Sequence, residues 1–103
     1  MTEQAIQKKI ITMLEQDYNA YVVKVVVSSK SGVPDLLCCV PIKSSHIFVG
    51  IEIKRPESKS NVSKLQEYNL KRITQANGLS FVSWGVDHCR GVLNEYIRTH
   101  NMG

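Results

Sequence analysis

The sequence predicts an α/β domain in which a mixed four-stranded sheet is flanked by helices. Segment 2–18 and a segment near the C-terminus carry apolar residues at helical spacing, and segment 61–77 has the start and stop signals of a helix. Four short β-branched or apolar runs read as strands, which gives the order αβββαβα. A strand–helix–strand connection is right-handed and favours a parallel pair, so the third and fourth strands are expected to be parallel. Short turns between the first three strands favour antiparallel pairs.

The first helix is predicted over 2–18, with Thr2 as its N-cap. Its apolar face comprises Ile6, Ile10, Met13, Leu14 and Tyr18. The run YVVKVVV at 21–27 predicts the first strand, and the polar loop 28–32 follows it.

Pro34 is expected to open the second strand, 35–40, at a position where its missing N–H does little harm. A turn at 41–45 then leads to the third strand, predicted over 46–54. The apolar run of the second strand is almost unbroken after its first residue, which indicates burial.

The second helix is predicted over 61–77, and a capping box of Ser63 and Gln66 places its regular start at Ser63. Asn77-Gly78 is a favourable helix end. The fourth strand follows at 79–84, and Asp87 is expected to cap a last helix. That helix has an apolar face made of Cys89, Val92, Leu93, Tyr96 and Ile97.

The length of 103 residues fits one domain spanning 1–103, and 43% hydrophobic residues exclude a disordered chain. Thirteen Lys and Arg face nine Asp and Glu, which gives a net charge of +4. This balance suits an anionic partner, although mild basicity also serves solubility. The three cysteines show neither a disulfide framework nor a zinc pattern, so Cys38, Cys39 and Cys89 are expected to be buried and reduced.

No apolar run approaches the roughly 20 residues that a membrane helix needs. The N-terminal stretch MTEQAIQKKII carries an acid and lacks a signal-peptide core. We therefore expect an intracellular protein with no membrane partner.

The stretch GIEIKRP at 50–56 places charges inside an otherwise apolar, β-branched run. In a strand, Ile51 and Ile53 point to one side, while Glu52 and Lys54 point to the other. Charges within a sheet are costly unless they are paired or used, so this stretch marks a candidate site.

A hairpin turn centred between Lys43 and Ser44 would place Asp35 opposite Glu52. Directly opposed residues of antiparallel strands point to the same face, with Cβ atoms about 5 Å apart. Lys54 shares this face because it lies two residues after Glu52. The pattern therefore gathers two carboxylates and an ammonium at one edge of the sheet.

Two carboxylates this close repel each other, and a hard divalent cation such as Mg²⁺ or Mn²⁺ relieves the repulsion. A metal, a water and a lysine together are suited to phosphodiester hydrolysis. The alternative is a structural ion pair, in which Lys54 and Arg55 neutralise Glu52 and Asp35. Spacing alone leaves both interpretations open.

Two short motifs carry a family resemblance. GVPD at 32–35 followed by EIK at 52–54 resembles the PD-(D/E)xK nuclease signature. Together with Glu3, SGVPDLL, IEIKRP and S-x-x-Q, the set is similar to the virus-type replication-repair nuclease domain, VRR-Nuc, of the stand-alone phage or bacterial type. The resemblance covers essentially the whole chain and implies a restriction-endonuclease-like αβββαβ core.

The resemblance also implies roles for individual residues. Asp35 and Glu52 would be metal ligands for Mg²⁺ or Mn²⁺, together with the backbone carbonyl of Ile53. Lys54 would orient or activate the attacking water. Glu3 would complete the metal site from the first helix, although an acid in a first turn also suits the helix dipole.

Gln66 is expected either to hold Lys54 or the water, or to serve only in the capping box. Contacts with DNA phosphates are predicted for a group of basic residues around the site, Lys24, Lys30, Arg55, Lys59 and Lys64. The alternative for each of these is an ordinary solvated surface position.

The activity implied by the resemblance is that of a metal-dependent DNA endonuclease leaving 5′-phosphate and 3′-hydroxyl ends, with no small-molecule substrate. Single-domain members of the family are similar to enzymes that form homodimers and cut branched DNA, including four-way (Holliday) junctions in DNA repair and recombination. Two further hypotheses are a non-catalytic nucleic-acid-binding module with the same fold and a structural domain that binds phosphate or protein.

Overall fold

The computed structural model describes residues 1–58 and 61–100. In chain order the elements are α1 (Glu3–Asp17), β1 (Tyr21–Lys24), β2 (Leu36–Ile42), β3 (Ser45–Ile53), a 3₁₀ turn (Pro56–Ser58), α2 (Lys64–Gln75), β4 (Leu79–Ser83) and α3 (Val86–His100). The strands form one sheet in the order β1-β2-β3-β4. The first two pairs are antiparallel and β3–β4 is parallel, which confirms the predicted mixed sheet flanked by helices.

The β2–β3 hairpin has the predicted register, with Val40 opposite Ile47. Both strands extend further into the predicted turn 41–45, β2 to Ile42 and β3 from Ser45, so that only Lys43 and Ser44 form the turn, and Lys43 has a φ of 49°. Pro41 lies inside β2 rather than in the turn. A proline is tolerated here because the N–H that it lacks would point toward β1. Since β1 pairs with β2 no further than Cys39, this part of β2 has no strand on that side.

Strand β1 ends at Lys24, three residues earlier than predicted. The reason is its partner, since β2 begins at Leu36, opposite Lys24. One further hydrogen bond, from the Val25 N–H to the Asp35 carbonyl (2.8 Å), closes the pairing. Beyond it the chain leaves the sheet, and the loop 25–35 returns to β2.

The ends of α2 follow the prediction closely. Ser63 is the N-cap, and Ser63 and Gln66 form a reciprocal capping box. At the C-terminus Asn77 has a φ of 71°, and the N–H groups of Asn77 and Gly78 bond back to the carbonyls of Thr74 and Ile73. These two bonds define a Schellman motif. The predicted cap of α3 was wrong: the helix already begins at Val86, and Asp87 lies inside its first turn.

Helices α1 and α3 cover one face of the sheet. The core between them consists of buried apolar side chains from α1, α3 and alternate residues of β2 and β3: Ile6, Ile10, Met13, Leu14, Leu36, Cys38, Val40, Ile47, Val49, Ile51, Ile53, Cys89 and Leu93. Cys39 points to the opposite face and is exposed, so the prediction that all three cysteines are buried was wrong for this residue.

Helix α2 covers only part of the opposite face. It packs beside Gly50, where an added Cβ would lie 2.5 Å from the Ile73 Cδ1 atom. The rest of this face carries exposed apolar side chains on paired positions, Tyr21, Cys39 and Phe48. We call this uncovered part, together with Val23, the open sheet face.

Within the described part of the chain, no helix is long and apolar enough to cross a bilayer.

Replacement of Gly32 by alanine should destabilise the fold by about 1–3 kcal/mol. Gly32 has a φ of +79°, which costs an L-residue about 1–2 kcal/mol. An added Cβ would also lie 2.8 Å from Leu65 Cγ and 3.0 Å from the Leu65 backbone carbon. Urea denaturation followed by circular dichroism measures the change.

Gly91→Ala is the matched control. Gly91 lies in α3 and an added Cβ would meet nothing within 4 Å. Since glycine weakens a helix interior, this variant should gain about 0.5–1 kcal/mol. Equal effects of the two substitutions would contradict the close approach of the loop to α2.

Candidate metal and phosphodiester site

The site lies where β2 begins and β3 ends. Leu36 pairs with Ile51, so the next pair outward in this register is Asp35 and Glu52. Both side chains therefore point to the same face of the sheet, the face on which α2 packs. Glu52 is only 3% exposed, which is unusual for a carboxylate.

Asp35 is held from both of its neighbouring strands. Its Oδ2 atom accepts a hydrogen bond of 2.7 Å from the backbone N–H of Ile53 in β3. Its backbone carbonyl accepts the bond from Val25 that closes β1. These contacts fix the carboxylate beside the end of β3.

The backbone carbonyl of Ile53 is available to the same site. In a regular strand the N–H and C=O of one residue point to the same neighbouring strand, here the β2 side where Asp35 lies. In this register the residue opposite Ile53 is Pro34, which has no N–H to donate. Pro34 therefore leaves a carbonyl oxygen next to two carboxylates.

Glu52 has one engaged and one unengaged oxygen. Its Oε2 atom accepts a hydrogen bond of 3.1 Å from Gln66 Nε2, and Lys54 Nζ lies 3.6 Å from the same atom. Its Oε1 atom is buried and has no hydrogen-bond partner among the described residues. Buried polar atoms are nearly always satisfied, so an unpaired carboxylate oxygen indicates a missing ligand.

Gln66 forms the predicted capping box and also contacts the site, through Glu52 rather than through Lys54. Its Oε1 atom accepts the Ser63 N–H (3.0 Å) in the capping box, and its Nε2 atom donates to Glu52. Because the cap occupies the carbonyl end of the amide, the NH₂ end has to face Glu52. The start of α2 thus sets the orientation of the Glu52 carboxylate.

The environment of Glu52 favours its protonated form. Burial is the main reason that the pKa of Glu52 rises from 4.5 to about 8; the negative charge of Asp35 and a hydrogen bond that the protonated carboxyl can share with Asp35 also raise it. The Lys54 ammonium lowers this pKa but does not offset these three effects. A divalent cation would displace the proton and stabilise the charged form.

The oxygen atoms gathered here fit a hard divalent cation. Asp35, Glu52 and the Ile53 carbonyl supply oxygen ligands of the kind that Mg²⁺ and Mn²⁺ prefer. The unpaired Glu52 Oε1 is the observation that supports this fit. The ion pair weighed as an alternative is present too, between Lys54 and Glu52, and it uses only the other oxygen.

Glu3 does not join this group. Within the described residues, no three His, Cys, Asp or Glu side chains are close enough to hold a metal ion together. Glu3 lies at the start of α1 and lines a surface cavity of about 290 Å³ with Thr2, Gln4 and Arg55. Its role in the site stays a prediction.

The predicted DNA-contacting residues are placed around the same edge of the sheet. Lys24 ends β1, Lys30 lies in the loop before Asp35, Arg55 follows Lys54, and Lys64 begins α2. All four are exposed. The fifth, Lys59, lies outside the described residues.

Two features of the site were not predicted from the sequence, the hydrogen bond from Ile53 to Asp35 and the burial of Glu52. The hydrogen bond follows from the position of Pro34 opposite Ile53, which leaves the Ile53 N–H without a backbone partner on β2. The register predicts that opposition, so the missing partner could have been read from the sequence. The burial of Glu52 under α2 had no comparable local signal.

The architecture and the site together define an α/β fold whose mixed four-stranded sheet carries a carboxylate pair and a lysine at one end. Comparisons of the sequence with models of known families and with curated proteins found no match. A comparison of structures found a "VRR_NUC domain protein" with a TM-score of 0.71 and 19% sequence identity, covering 100% of this chain and 93% of that one. The chain therefore has the fold of a VRR_NUC domain protein, as the motifs predicted; identity at this level shows the fold alone.

The raised pKa of Glu52 predicts a pH dependence of stability. In the unfolded chain Glu52 loses its proton near pH 4.5, whereas in the metal-free folded protein it retains it up to about pH 8. Between these values the folded state binds more protons, so this group's contribution to the free energy of unfolding decreases as the pH rises. Denaturation in EDTA at pH 5.5 and pH 8 measures this slope.

Glu52→Gln is the matched control because the amide has the same shape and does not titrate. The difference in free energy of unfolding, Glu52→Gln minus wild type, should increase by at least about 1 kcal/mol from pH 5.5 to pH 8, because only the wild type loses this contribution as the pH rises. Parallel pH profiles for the two proteins would show that Glu52 ionises normally.

Proposed function

We propose that the protein is a metal-dependent endonuclease that hydrolyses phosphodiester bonds in DNA. The observation that carries this proposal is the unpaired, buried Oε1 atom of Glu52 beside Asp35 and Lys54. The VRR_NUC fold supports it, since the residues that match the nuclease signature converge at one end of that fold.

Mg²⁺ or Mn²⁺ would be held by Asp35, Glu52 and the Ile53 carbonyl. When bound, the ion would supply Lewis acidity toward the phosphate and a water of lowered pKa. Asp35 and Glu52 each contribute an oxygen whose direction is fixed, by the Ile53 N–H and by Gln66 respectively. Fixed ligands need little rearrangement during the reaction.

Lys54 supplies the positive charge of the site. Its ammonium is held near Glu52 and is only 12% exposed, so few waters screen it. In this position it donates hydrogen bonds to the attacking water or to a non-bridging phosphate oxygen, where negative charge increases in the transition state. The products would carry a 5′-phosphate and a 3′-hydroxyl.

DNA would approach the edge that carries the exposed basic residues Lys24, Lys30, Arg55 and Lys64. Lys59, which lies between Arg55 and Lys64 in the sequence, belongs to the same predicted set. These residues would contact phosphates and thus position the strand without reading its sequence. Glu3, which lies beside Arg55 at the start of α1, would act through a metal-bound water or through Arg55.

We further propose that the substrate is branched DNA, such as a four-way junction, and that the active form is a homodimer. The open sheet face presents Tyr21, Val23, Cys39 and Phe48 to solvent and offers a second copy an apolar contact. A two-fold dimer would place two sites on two strands of a symmetric junction.

The activity is tested by incubating the protein with four-way, flapped and linear DNA in the presence of Mn²⁺ or Mg²⁺. Cutting should require the metal, stop with EDTA and be fastest on branched substrates. Lys54→Ala should cut at least about 10²–10³-fold more slowly, because it removes the charge that stabilises the transition state. Lys43→Ala, at the hairpin turn at the far end of β2 and β3, should cut like wild type.

Tight DNA binding without metal-dependent cutting would instead identify a non-catalytic nucleic-acid-binding module. Absence of both binding and cutting at low salt would favour the structural hypothesis. A Lys54→Ala protein as active as wild type would remove Lys54 from the mechanism.

The proposed phosphate contacts predict a change in salt dependence. Replacing Lys24 and Lys30 by glutamine should lower the slope of log K against log salt concentration by about 0.9 for each phosphate that the variant no longer neutralises. Binding isotherms of a branched DNA at several salt concentrations measure the slope. Lys43→Gln removes the same type of charge away from the site and should leave the slope unchanged; an equal decrease per lysine in both proteins would show that only net charge matters.

A further inference from the structure

Two valines beside the site are almost fully exposed. Val26 is 81% and Val27 is 90% exposed, the highest values among the large apolar residues that the structure describes. They lie just past the last pairing of β1, at the start of the loop 25–35. Burial of a valine side chain is worth about 1.5–3 kcal/mol, so their joint exposure indicates a contact made with a partner.

The loop that carries these valines is attached to the site at both ends. At its start, the Val25 N–H bonds to the Asp35 carbonyl. At its end, the Ser31 carbonyl accepts a hydrogen bond of 3.1 Å from Asn69 Nδ2 of α2, and Gly32 packs against Leu65. The valine pair is therefore held at a set distance from the carboxylates.

That distance is short on the scale of DNA. Val25 and Asp35 are neighbours across β1 and β2, with Cα atoms about 5.5 Å apart, and each further residue adds at most about 3.8 Å. The Cα atoms of Val26 and Val27 then lie within about 9 and 13 Å of the Asp35 Cα. This corresponds to at most about four nucleotides along one strand, at about 3.4 Å each.

The charges around the valines indicate what they contact. Exposed Lys24 precedes them and exposed Lys30 follows them, so the exposed valines are flanked along the chain by two cations. Architectural DNA-binding proteins use the same combination: cationic groups hold the phosphates while an apolar side chain enters between base steps. The open sheet face differs, because its exposed apolar side chains lie within paired strands rather than in a loop.

We propose that Val26 and Val27 form an apolar wedge that enters an unstacked base step within about four nucleotides of the cleaved phosphodiester. This inference rests on the proposed nuclease function and adds the DNA feature that the site would recognise. Separating stacked bases costs a few kcal/mol in a regular duplex and less where pairing is already disrupted. The wedge therefore favours branch points without reading any sequence.

The experiment uses a four-way junction with 2-aminopurine placed at successive positions around the branch point. Stacking quenches the emission of this base, so an entering wedge should raise the fluorescence within about four nucleotides of the cut site. The double variant Val26→Thr/Val27→Thr keeps the side-chain shape and adds a hydroxyl that is costly to bury. It should lose the fluorescence rise and cut the junction at least about tenfold more slowly, with little change on linear duplex.

Val92→Thr is the matched control, since it makes the same chemical change at a partly exposed position of α3, on the other face of the sheet from the site. It should retain the fluorescence rise and the preference for the junction. Thermal melting verifies that both variants are folded.

The outcomes separate this inference from the function on which it rests. If wild type cuts no DNA with Mg²⁺ or Mn²⁺, the proposed function fails. If wild type cuts but the double threonine variant shows the same fluorescence rise and the same junction preference, the wedge alone is overturned. Sedimentation provides a further check: a dimeric wild type that becomes monomeric in the double variant would show that the valines cover a second copy, which also overturns the wedge.

Discussion

The register of the β2–β3 hairpin is the constraint on which the site depends. It is fixed by the two-residue turn at Lys43 and by the alternation that buries Leu36, Cys38 and Val40 of β2 together with Ile47, Val49 and Ile51 of β3. A slip of one residue would turn all of these side chains to the other face and separate Asp35 from Glu52. The apolar core therefore holds the two carboxylates together from the opposite face of the sheet.

The burial of Glu52 is costly to the fold and useful to the site. A buried carboxylate with one unpaired oxygen is destabilising, and its raised pKa shows that the protein alone stabilises the charge incompletely. Lys54 and Gln66 both contact Oε2 and leave Oε1 open, although a purely structural ion pair would be expected to engage both oxygens. This asymmetry favours a ligand at Oε1 over a structural role. Residues that serve function often lower the stability of the fold, as a buried and unpaired carboxylate oxygen does.

The features that depend on short-range rules could be predicted from the sequence. Periodicity indicated the element order, the hairpin turn indicated the opposition of Asp35 and Glu52, and S-x-x-Q indicated the start of α2. Features set by long-range packing could not be predicted in this way. The run YVVKVVV has strand propensity throughout, but β1 stops at Lys24 because β2 begins at Leu36 and allows only one further bond, from the Val25 N–H to the Asp35 carbonyl. Glu3 is on the expected helix, yet its distance from the carboxylates depends on how α1 lies across the sheet, which no local pattern encodes.

Helix α2 links the separate parts of the proposed DNA-binding edge. Its cap residue Ser63 fixes Gln66, which orients Glu52, and its first turns hold the loop 25–35 through Leu65 and Asn69. The same helix therefore contacts both the Glu52 carboxylate and the loop that carries the exposed valines. Under the proposed function, the close approach of Gly32 to the Leu65 backbone would matter beyond stability, because it ties the loop of the proposed wedge to the helix that orients Glu52.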